Sequence, residues 1–432
     1  MNGALPSLQR ALGRWDLTAI GVNQVIGSGV FLLPAALAAQ VGGWSTTAVV
    51  LVGGLALLIA LCFAEAGSRF DGTGGAYLYT RAAFGRFVGF EVGWMLWVTR
   101  VTSWAAVVNG LADALGYYWP AVGAGGSRIT LIAAVVFAIM AINVRGIRQS
   151  AWTVNALTIG KITPLLIFIV VGLPFVSWDG LRTGVAPSFE QMSASALLLI
   201  FGFGGYEVVP VPAGEARDPR RDVPFAMVMT IMIVALVMTL VQVVASGTLP
   251  GLATSTTPLA DAALLFLGAS GALLMTAGAV ASMTGNNMGQ ALSGSRNLFA
   301  LAEQGDLPRG FGYVHPRFRT PAVAVVFTCL VSLVLALGSD FVTLAATSAV
   351  SRLLVYAGTC ASVLALRRRG PAPFTVPFGP LIPSVALAIS IGILYGASRL
   401  QLQVGTAALV IGAVLYLVAA RLKPRPTATL DA

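Results

Sequence analysis

The chain contains twelve apolar runs, most of them about 20 residues long, distributed along nearly its whole length. About 20 residues at 1.5 Å each cross the hydrocarbon layer of a bilayer as a helix, so each run is a candidate transmembrane segment. Hydrophobic residues make up 57% of the 432, charged residues only 10%, and the mean hydropathy is +0.86, which is atypical of soluble proteins. The runs lie at 16–39, 44–66, 87–118, 129–145, 150–174, 191–213, 224–247, 260–302, 321–338, 340–366, 380–398 and 403–421. The sequence predicts an all-α integral membrane protein with twelve transmembrane helices.

The sequence between and within the runs argues against an enzyme. Polar stretches do not exceed about thirty residues, which is too short for a separate soluble domain. The runs carry no HExxH motif, no GxSxG motif and no aspartate pair with catalytic spacing. Cys62, Cys329 and Cys360 lie in separate runs without metal-ligand spacing, so no metal or cofactor is expected. A channel would need a continuous polar stripe along several helices, and the one polar cluster lies at mid-depth.

The net charge of +10 raises the question of a nucleic-acid partner, and the distribution of the charges argues against one. If the N-terminus is cytoplasmic, 19 of the 26 Lys and Arg residues fall on the cytoplasmic side and 3 on the opposite side. This asymmetry is the positive-inside rule, and it predicts that both termini are cytoplasmic in a multi-pass protein of the cell membrane. Four positive charges fall within the runs: Arg100, Lys161, Arg296 and Arg352.

Two runs are interrupted by glycine and proline in corresponding places. Residues 25–35 read VIGSGVFLLPA, and residues 200–216 read IFGFGGYEVVPVPAGEA. In the first, Pro34 follows Gly29 by five residues; in the second, Pro210 follows Gly205 by five. Since five runs separate the interruptions, two five-helix halves would be inserted with opposite topology. The spacing therefore predicts an inverted repeat whose broken helices meet near the midplane.

Such a break exposes backbone groups that lipid cannot satisfy, so we expect it to line a cavity. Glycine lets the backbone leave helical dihedrals, and a proline in the first turn of the next half-helix removes an N–H that has no partner there. The amide groups after Ser28 offer donors to a carboxylate, and carbonyl groups near Phe201, Gly202 and Phe203 offer acceptors to an ammonium group. The combination suits a zwitterion. Small-residue packing and simple proline kinks are the alternative explanation of each motif alone.

The residues from about Arg14 to Arg369 resemble the amino acid-polyamine-organocation (APC) superfamily of transporters. VIGSGVFLLPA resembles the unwound first helix of that family, and FGFGGYE with AGEARDPRRDVPFAM resembles its sixth helix and the following loop. SRNLFALAEQGDLPRGFGYVHPRFRTP resembles the end of its eighth helix and the next cytoplasmic loop. The resemblance implies a leucine-transporter-like 5+5 inverted repeat with discontinuous helices 1 and 6. The expected regions are a cytoplasmic N-terminus (1–15), the first repeat (16–174), the second repeat (191–366), helices 11 and 12 (380–421) and a cytoplasmic tail (422–432).

Lys161 lies about eleven residues into its run, roughly 15 Å deep, too far for its side chain to reach the interface. A charge at that depth costs about 2.5 to 3.5 kcal/mol on insertion scales, so a partner is expected. The segment NALTIGKITPLL resembles the fifth helix of sodium-independent family members, in which a lysine takes the place of a sodium ion. The resemblance implies that its ammonium group binds first-helix carbonyls between Gly21 and Ile26. Two roles stay open, a permanently charged cross-link or, since burial disfavours the charged form, proton coupling.

Glu207 directly follows the second interruption, and its position resembles that of a carboxylate that senses protons or cationic substrates in some family members. Arg100 and Arg352 are candidate partners for it. Asn286, Asn287 and Gln290 lie within the eighth run, where amides act as interhelical contacts or bind substrate. Trp94, Trp97 and Trp104 are candidate lids, together with three aromatic residues of the second interruption. The predicted substrate-binding residues are Ile26, Gly27, Ser28, Gly29, Phe201, Gly202, Phe203, Gly204, Tyr206, Glu207, Asn286, Asn287 and Gln290; Lys161 and Glu207 are the predicted coupling residues.

These observations lead to one functional hypothesis with two alternatives. The chain is expected to be a secondary active transporter that carries an amino acid by alternating access, independently of sodium and coupled to protons. The alternatives are an amino acid exchanger and a transporter of cationic amino acids or polyamines. A neutral amino acid is the expected substrate, because Glu207 has several candidate internal partners. A monomer or homodimer is expected.

Overall fold

The structure is a computed structural model that describes residues 12–70, 75–145, 151–181, 184–210, 216–318 and 320–421. These residues form fourteen α-helices and no β-strand; Leu12 and Ala216 make one isolated bridge. The helices are α1 (Arg14–Val25), α2 (Gly29–Val41), α3 (Ser45–Ser68), α4 (Ala76–Phe84), α5 (Arg86–Gly116), α6 (Gly125–Arg145), α7 (Ala151–Gly172), α8 (Phe189–Phe203), α9 (Pro219–Thr248), α10 (Pro258–Glu303), α11 (Ala322–Gly338), α12 (Phe341–Arg367), α13 (Leu381–Ile393) and α14 (Arg399–Arg421). The predicted tail 422–432 and most of the predicted N-terminal region 1–15 lie outside the described residues, as do Arg10, Arg148, Arg182, Arg319, Lys423 and Arg425.

Several of these helices are long and apolar enough to cross a membrane. Among the described residues, six segments meet both criteria: Gly29–Ser68, Gly125–Arg145, Pro219–Thr248, Pro258–Glu303, Phe341–Arg367 and Arg399–Ala419. Four further apolar helices are shorter: Gly160–Phe175, Phe189–Phe203, Ala322–Gly338 and Leu381–Gly396. The chain is therefore a multi-pass helical membrane protein.

The first apolar run is broken as predicted. Helix α1 ends at Val25, the chain leaves helical geometry at Ile26, where ψ is 86°, and α2 begins at Gly29. The expected place of Pro34 is wrong, however, because it is the sixth residue of α2 and not part of its first turn. At that position the proline ring removes the N–H that would bond the Val30 carbonyl group.

The sixth apolar run is broken at its glycine pair, Gly204 and Gly205. Helix α8 ends at Phe203, Gly204 is extended, and Gly205 has a φ of 129°, which a residue with a side chain rarely adopts. A short 3₁₀ turn, Tyr206–Val208, then continues the chain. Gly205 is thus the residue that permits the break between α8 and the 3₁₀ turn. Both broken helices of the prediction are confirmed.

The two longest apolar runs differ in how the helix accommodates its length. Helix α5 runs unbroken through 31 residues, whereas α10 runs through 46 residues with a kink at Gly268, where φ is 67°. This kink and the short helix α4, which packs on α5 and α12, were not predicted. Helix α4 is amphipathic and only nine residues long, so a hydropathy window of about 19 residues misses it.

Polar side chains are buried at the centre of the fold, and large apolar side chains are exposed at its periphery. Helix α5 is central and contacts α10, α11, α12 and α14. Charged and amide side chains are buried around it, while large apolar side chains of the outer helices are exposed, such as Phe137, Val170, Val334 and Ile411. An exposed apolar surface of this extent is expected where the solvent is lipid.

Candidate substrate site

The two helix breaks lie against each other at the centre of the bundle. A Cβ atom added to Gly205 would lie 2.8 Å from the Gln24 carbonyl oxygen, and one added to Gly29 would lie 2.8 Å from the Gly202 Cα atom. Both distances are shorter than a carbon atom tolerates, so the backbones approach closely only because glycine occupies these positions. The sequence motifs therefore converge on one place in the fold.

A small cavity lies between the breaks and the neighbouring helices. It has about 260 Å³ of empty space and room for about one water molecule. The residues around it are Gln24, Val25, Gly27, Ser28, Gly29, Ser103, Val107, Phe201, Gly202, Gly204, Asn286, Gln290 and Arg352. An amino acid can occupy this position only after the surrounding helices separate, which is what an alternating-access carrier requires.

Eight of the thirteen predicted substrate-binding residues line this cavity, and five do not. Ile26, Phe203, Tyr206, Glu207 and Asn287 are buried behind its wall. Phe203 packs against α3, where a Cβ on Gly53 would lie 3.2 Å from its ring, and Tyr206 stacks on Tyr356 at 5.4 Å between ring centroids. For Tyr206 and Glu207 the irregular turn after Gly205 accounts for the difference, because no helical period describes it, whereas Asn287 lies on a different face of α10 from Asn286 and Gln290.

Four residues that line the cavity were not predicted: Gln24, Val25, Ser103 and Val107. A signal existed for Ser103, because it lies three residues after Arg100 on α5 and therefore on the same helical face. Gln24 is a polar residue in an apolar run immediately before the break, which is a second usable signal. No sequence signal distinguishes Val25 or Val107 from the many other valines.

The N-terminus of α2 offers donors to an anion. Ser28 is 1% exposed, and its hydroxyl group has no hydrogen-bond partner among the described residues. The first amide groups of α2 have no intrahelical acceptor and carry the positive end of the helix dipole. This arrangement suits a carboxylate group.

The carbonyl groups at the end of α8 provide the complementary acceptors. The sequence predicts a free carbonyl group at Phe201, and this is wrong. The Phe201 carbonyl accepts a hydrogen bond from the Gly204 amide at 3.0 Å. Among the described residues, no hydrogen bond reaches the carbonyl groups of Gly202 and Phe203. Of the two residues only Gly202 lines the cavity, so its carbonyl is the acceptor available there for an ammonium group.

Behind the cavity, Glu207 binds two buried guanidinium groups. Its Oε1 atom lies 3.2 Å from Arg100 Nη2 and 3.2 Å from Arg352 Nη1. Its Oε2 atom accepts hydrogen bonds from the Gly205 amide at 2.8 Å and the Tyr356 hydroxyl at 3.1 Å. All four contacts hold the carboxylate against the second break, and both arginines proposed as its partners are in contact with it.

Arg352 reaches this position through the space that Gly204 leaves free. A Cβ atom on Gly204 would lie 1.3 Å from Arg352 Nη1, so any larger residue would displace the guanidinium group. Arg352 Nη2 donates to the Ser103 hydroxyl at 3.2 Å, and Ser103 bonds Ser348 at 2.7 Å. Arg352 therefore joins α12, α5 and the break while it also lines the cavity.

A chain of amide contacts connects Arg100 to the first break. Arg100 Nη1 donates to Gln290 at 3.3 Å, Gln290 donates to Asn286 at 3.3 Å, and Asn286 donates to the Gln24 carbonyl at 3.3 Å. The predicted face of Asn286 and Gln290 is thus present on α10. Asn287 points elsewhere, and its amide has no hydrogen-bond partner among the described residues.

Lys161 is buried and binds the carbonyl groups of the first break. Its ammonium group donates to the Ile26 carbonyl at 3.0 Å and to the Asn23 carbonyl. The predicted contact is therefore present. The hydroxyl group of Ser282 donates to the carbonyls of Ile26 and Gly27 at 3.2 and 3.3 Å, so α7 and α10 together satisfy this part of the backbone.

The aromatic residues proposed as lids take different roles. Phe201 lines the cavity and packs edge-on against Phe341 at 5.7 Å. Trp94 donates its indole N–H to the Ala408 carbonyl at 2.7 Å, and Trp97 donates to Thr328 at 3.1 Å. These two tryptophans, like the fully buried Trp104, lie outside the cavity wall, so Phe201 is the lid candidate that remains.

Two broken helices around a small polar cavity, inside a bundle with a lipid-exposed surface, are typical of a secondary membrane transporter. The sequence pattern of the amino acid permease family matches residues 12–420, so the chain belongs to that family. The APC resemblance is confirmed, and the protein is a membrane transporter and not an enzyme.

Three relatives are similar over nearly their whole length. A methylthioribose transporter of Bacillus subtilis is 27% identical, with 96% of this chain and 94% of the relative covered. The serine/threonine exchanger SteT of the same organism is 30% identical, with 90% of this chain and 91% of the relative covered. Its branched-chain amino acid permease BcaP is 27% identical, with 96% and 94% covered.

Proposed function

We propose that the protein is a secondary active transporter that moves amino acids across the cell membrane by alternating access. The observation that carries the proposal is the pair of helix breaks, which place the unpartnered Ser28 hydroxyl and Gly202, whose carbonyl group is free, around one cavity. Donors on one side and acceptors on the other match the carboxylate and ammonium groups of an amino acid. Family membership supports the same substrate class.

The architecture that fits this function has twelve crossings, both termini in the cytoplasm and a 5+5 inverted repeat of residues 16–174 and 191–366. In such a repeat the broken helices α1–α2 and α8 with its 3₁₀ turn occupy equivalent places in the two halves. Alternating access then consists of the two halves rocking around the shared cavity.

Lys161 makes the transporter independent of sodium and couples it to protons. Its ammonium group occupies the carbonyl cage formed by Asn23 and Ile26, which a cation would otherwise fill. Loss of its proton leaves the nitrogen as a neutral donor, weakens both contacts and frees α1 to move relative to α7. Each cycle thus carries a proton together with the substrate.

The test is uptake of radiolabelled amino acids into proteoliposomes that contain the purified protein. We expect uptake driven by an inward proton gradient, no effect of replacing sodium by choline, and loss of proton-driven uptake in Lys161→Ala. The matched control is Lys423→Ala, since Lys423 is the other lysine of the chain. Full pH-driven uptake by Lys161→Ala would contradict the coupling role.

An exchanger is the second candidate, because a relative that is 30% identical carries that activity in its name. Exchange differs from proton symport in its requirement for internal amino acid. Uptake that occurs only into preloaded vesicles and ignores the pH gradient would favour exchange. Transport of cationic amino acids or polyamines is less well supported, since the Glu207 carboxylate already forms ion pairs with Arg100 and Arg352.

A further inference from the structure

We propose that Arg352 is a specificity-determining residue that binds the side-chain carboxylate of an acidic amino acid, of the glutamate or aspartate class. This inference rests on the proposed transport function and names the substrate class of the same cavity. It replaces the neutral substrate that the sequence favours.

The first argument is the charge of the cluster behind the cavity. Arg100 and Arg352 have side chains that are 2% exposed, and they share one carboxylate, Glu207, that is 1% exposed. Among the described residues, neither guanidinium group has a second carboxylate within ion-pair distance. One positive charge of the buried cluster therefore remains without a counter-charge, which is strongly unfavourable.

The second argument is the number of donors without acceptors. Arg352 Nε and Arg100 Nε are buried and have no hydrogen-bond partner among the described residues, and Arg352 Nη1 has only its ion pair with Glu207. The Tyr356 hydroxyl lies beside Arg352 but donates its proton to Glu207, and Arg352 Nε has no acceptor there. A buried guanidinium group with an N–H that lacks an acceptor is suited to donate a charge-assisted hydrogen bond to a carboxylate.

The third argument is the position of Arg352 relative to the zwitterion sites. The substrate's α-carboxylate belongs at Ser28 and its ammonium group at the Gly202 carbonyl. Arg352 and Ser103 form a different part of the same cavity wall, from α12 and α5. A side chain that leaves the α-carbon toward this wall meets Arg352, so a terminal carboxylate there neutralises the surplus charge.

The other side-chain classes fit this site less well. A neutral substrate leaves the buried positive charge as it was, and a cationic substrate adds a second one next to it. The amide of glutamine or asparagine has nearly the same shape as the acid, so the comparison of acid with amide isolates the charge.

The experiment measures binding to purified wild-type protein by thermal stabilisation, and uptake into proteoliposomes, for L-glutamate, L-aspartate, L-glutamine, L-asparagine and L-lysine. We expect each acid to bind about tenfold or more tightly than its amide, because an unpaired buried charge is costly. In Arg352→Gln the acid and the amide should bind equally well. The control Arg69→Gln removes a partly exposed arginine elsewhere and should keep the wild-type preference.

The outcomes separate this inference from the proposed function. Saturable uptake of amino acids by the wild type without preference for the acids would overturn the inference and keep the transport function. Preference for acids that persists in Arg352→Gln would also overturn it. Absence of saturable uptake for every amino acid would overturn the function itself. If Arg352→Gln does not fold, the wild-type ranking and Arg352→Lys, which should keep the acid preference, decide the question.

Discussion

The molecule contains two buried glutamates that each face two arginines, and they differ in their access to water. Glu65, near the end of α3, binds Arg367 through two hydrogen bonds, one of 2.6 Å, and lies 3.9 Å from Arg69. Glu207, at the centre, binds Arg100 and Arg352. Both carboxylates are almost fully buried, but Arg367 and Arg69 are 18% and 13% exposed, whereas both arginines of the central cluster are 2% exposed.

The same composition therefore has different consequences at the two places. Each cluster has one more positive charge than negative, but the surplus at Glu65 is partly hydrated and that at Glu207 is not. A hydrated charge needs no further partner, whereas a buried one is retained only where it has a use. Glu65 Oε2 also accepts a hydrogen bond from the Val376 amide at 2.9 Å. The cluster thus connects α3 and α12 to the loop after α12 and has the features of a structural contact.

The largest predicted difference concerns removal of the two carboxylate charges. Glu207→Gln leaves two buried guanidinium groups without a counter-charge and should destabilise the protein by about 3 to 5 kcal/mol. Glu65→Gln should cost less, about 1 to 3 kcal/mol, because Arg367 and Arg69 can turn into water. Unfolding of the purified proteins in one detergent measures both effects. Equal destabilisation by the two variants would mean that hydration does not distinguish the clusters.

The second prediction concerns the glycine that admits Arg352 to the centre. A Cβ on Gly204 would overlap the guanidinium group, so Gly204→Ala should displace it and weaken binding of the acidic substrate about 30-fold or more. Gly54→Ala is the matched control, because no atom lies within 4 Å of the added Cβ and alanine favours the helix. Substrate titration by thermal stabilisation reports both. Unchanged affinity in Gly204→Ala would show that Arg352 does not need this position.

Much of this central region could be predicted from sequence, because the strongest signals there are local. The glycine motifs of the first and sixth runs, each followed by a proline after five residues and standing in corresponding places, predict the two breaks and so place Ser28 and Gly204 without any structure. Lys161 is similar, since a lone deep lysine needs a partner, and the family resemblance implies the first-helix carbonyl groups that it contacts.

What could not be predicted depends on rotation and on packing between distant segments. The irregular turn after Gly205 directs Tyr206 and Glu207 behind the cavity wall, and no helical period describes that turn. The sharing of Glu207 by Arg100 and Arg352 joins three segments far apart in the chain, so sequence could name both arginines as partners but could not show that neither has a second carboxylate.

The smallest predicted effect concerns Ser28, the other anion contact of the cavity. Its hydroxyl has no partner in the described structure, so Ser28→Ala removes no existing hydrogen bond and should leave the stability of the free protein nearly unchanged. It should weaken binding of every amino acid about tenfold, acids and amides alike, because the α-carboxylate loses one charge-assisted hydrogen bond. Ser293→Ala, whose hydroxyl bonds the Gly289 carbonyl of its own helix, should change neither quantity. An effect of Ser28→Ala confined to the acids would place the side-chain carboxylate, and not the α-carboxylate, at the N-terminus of α2, and would exchange the roles assigned to Ser28 and Arg352.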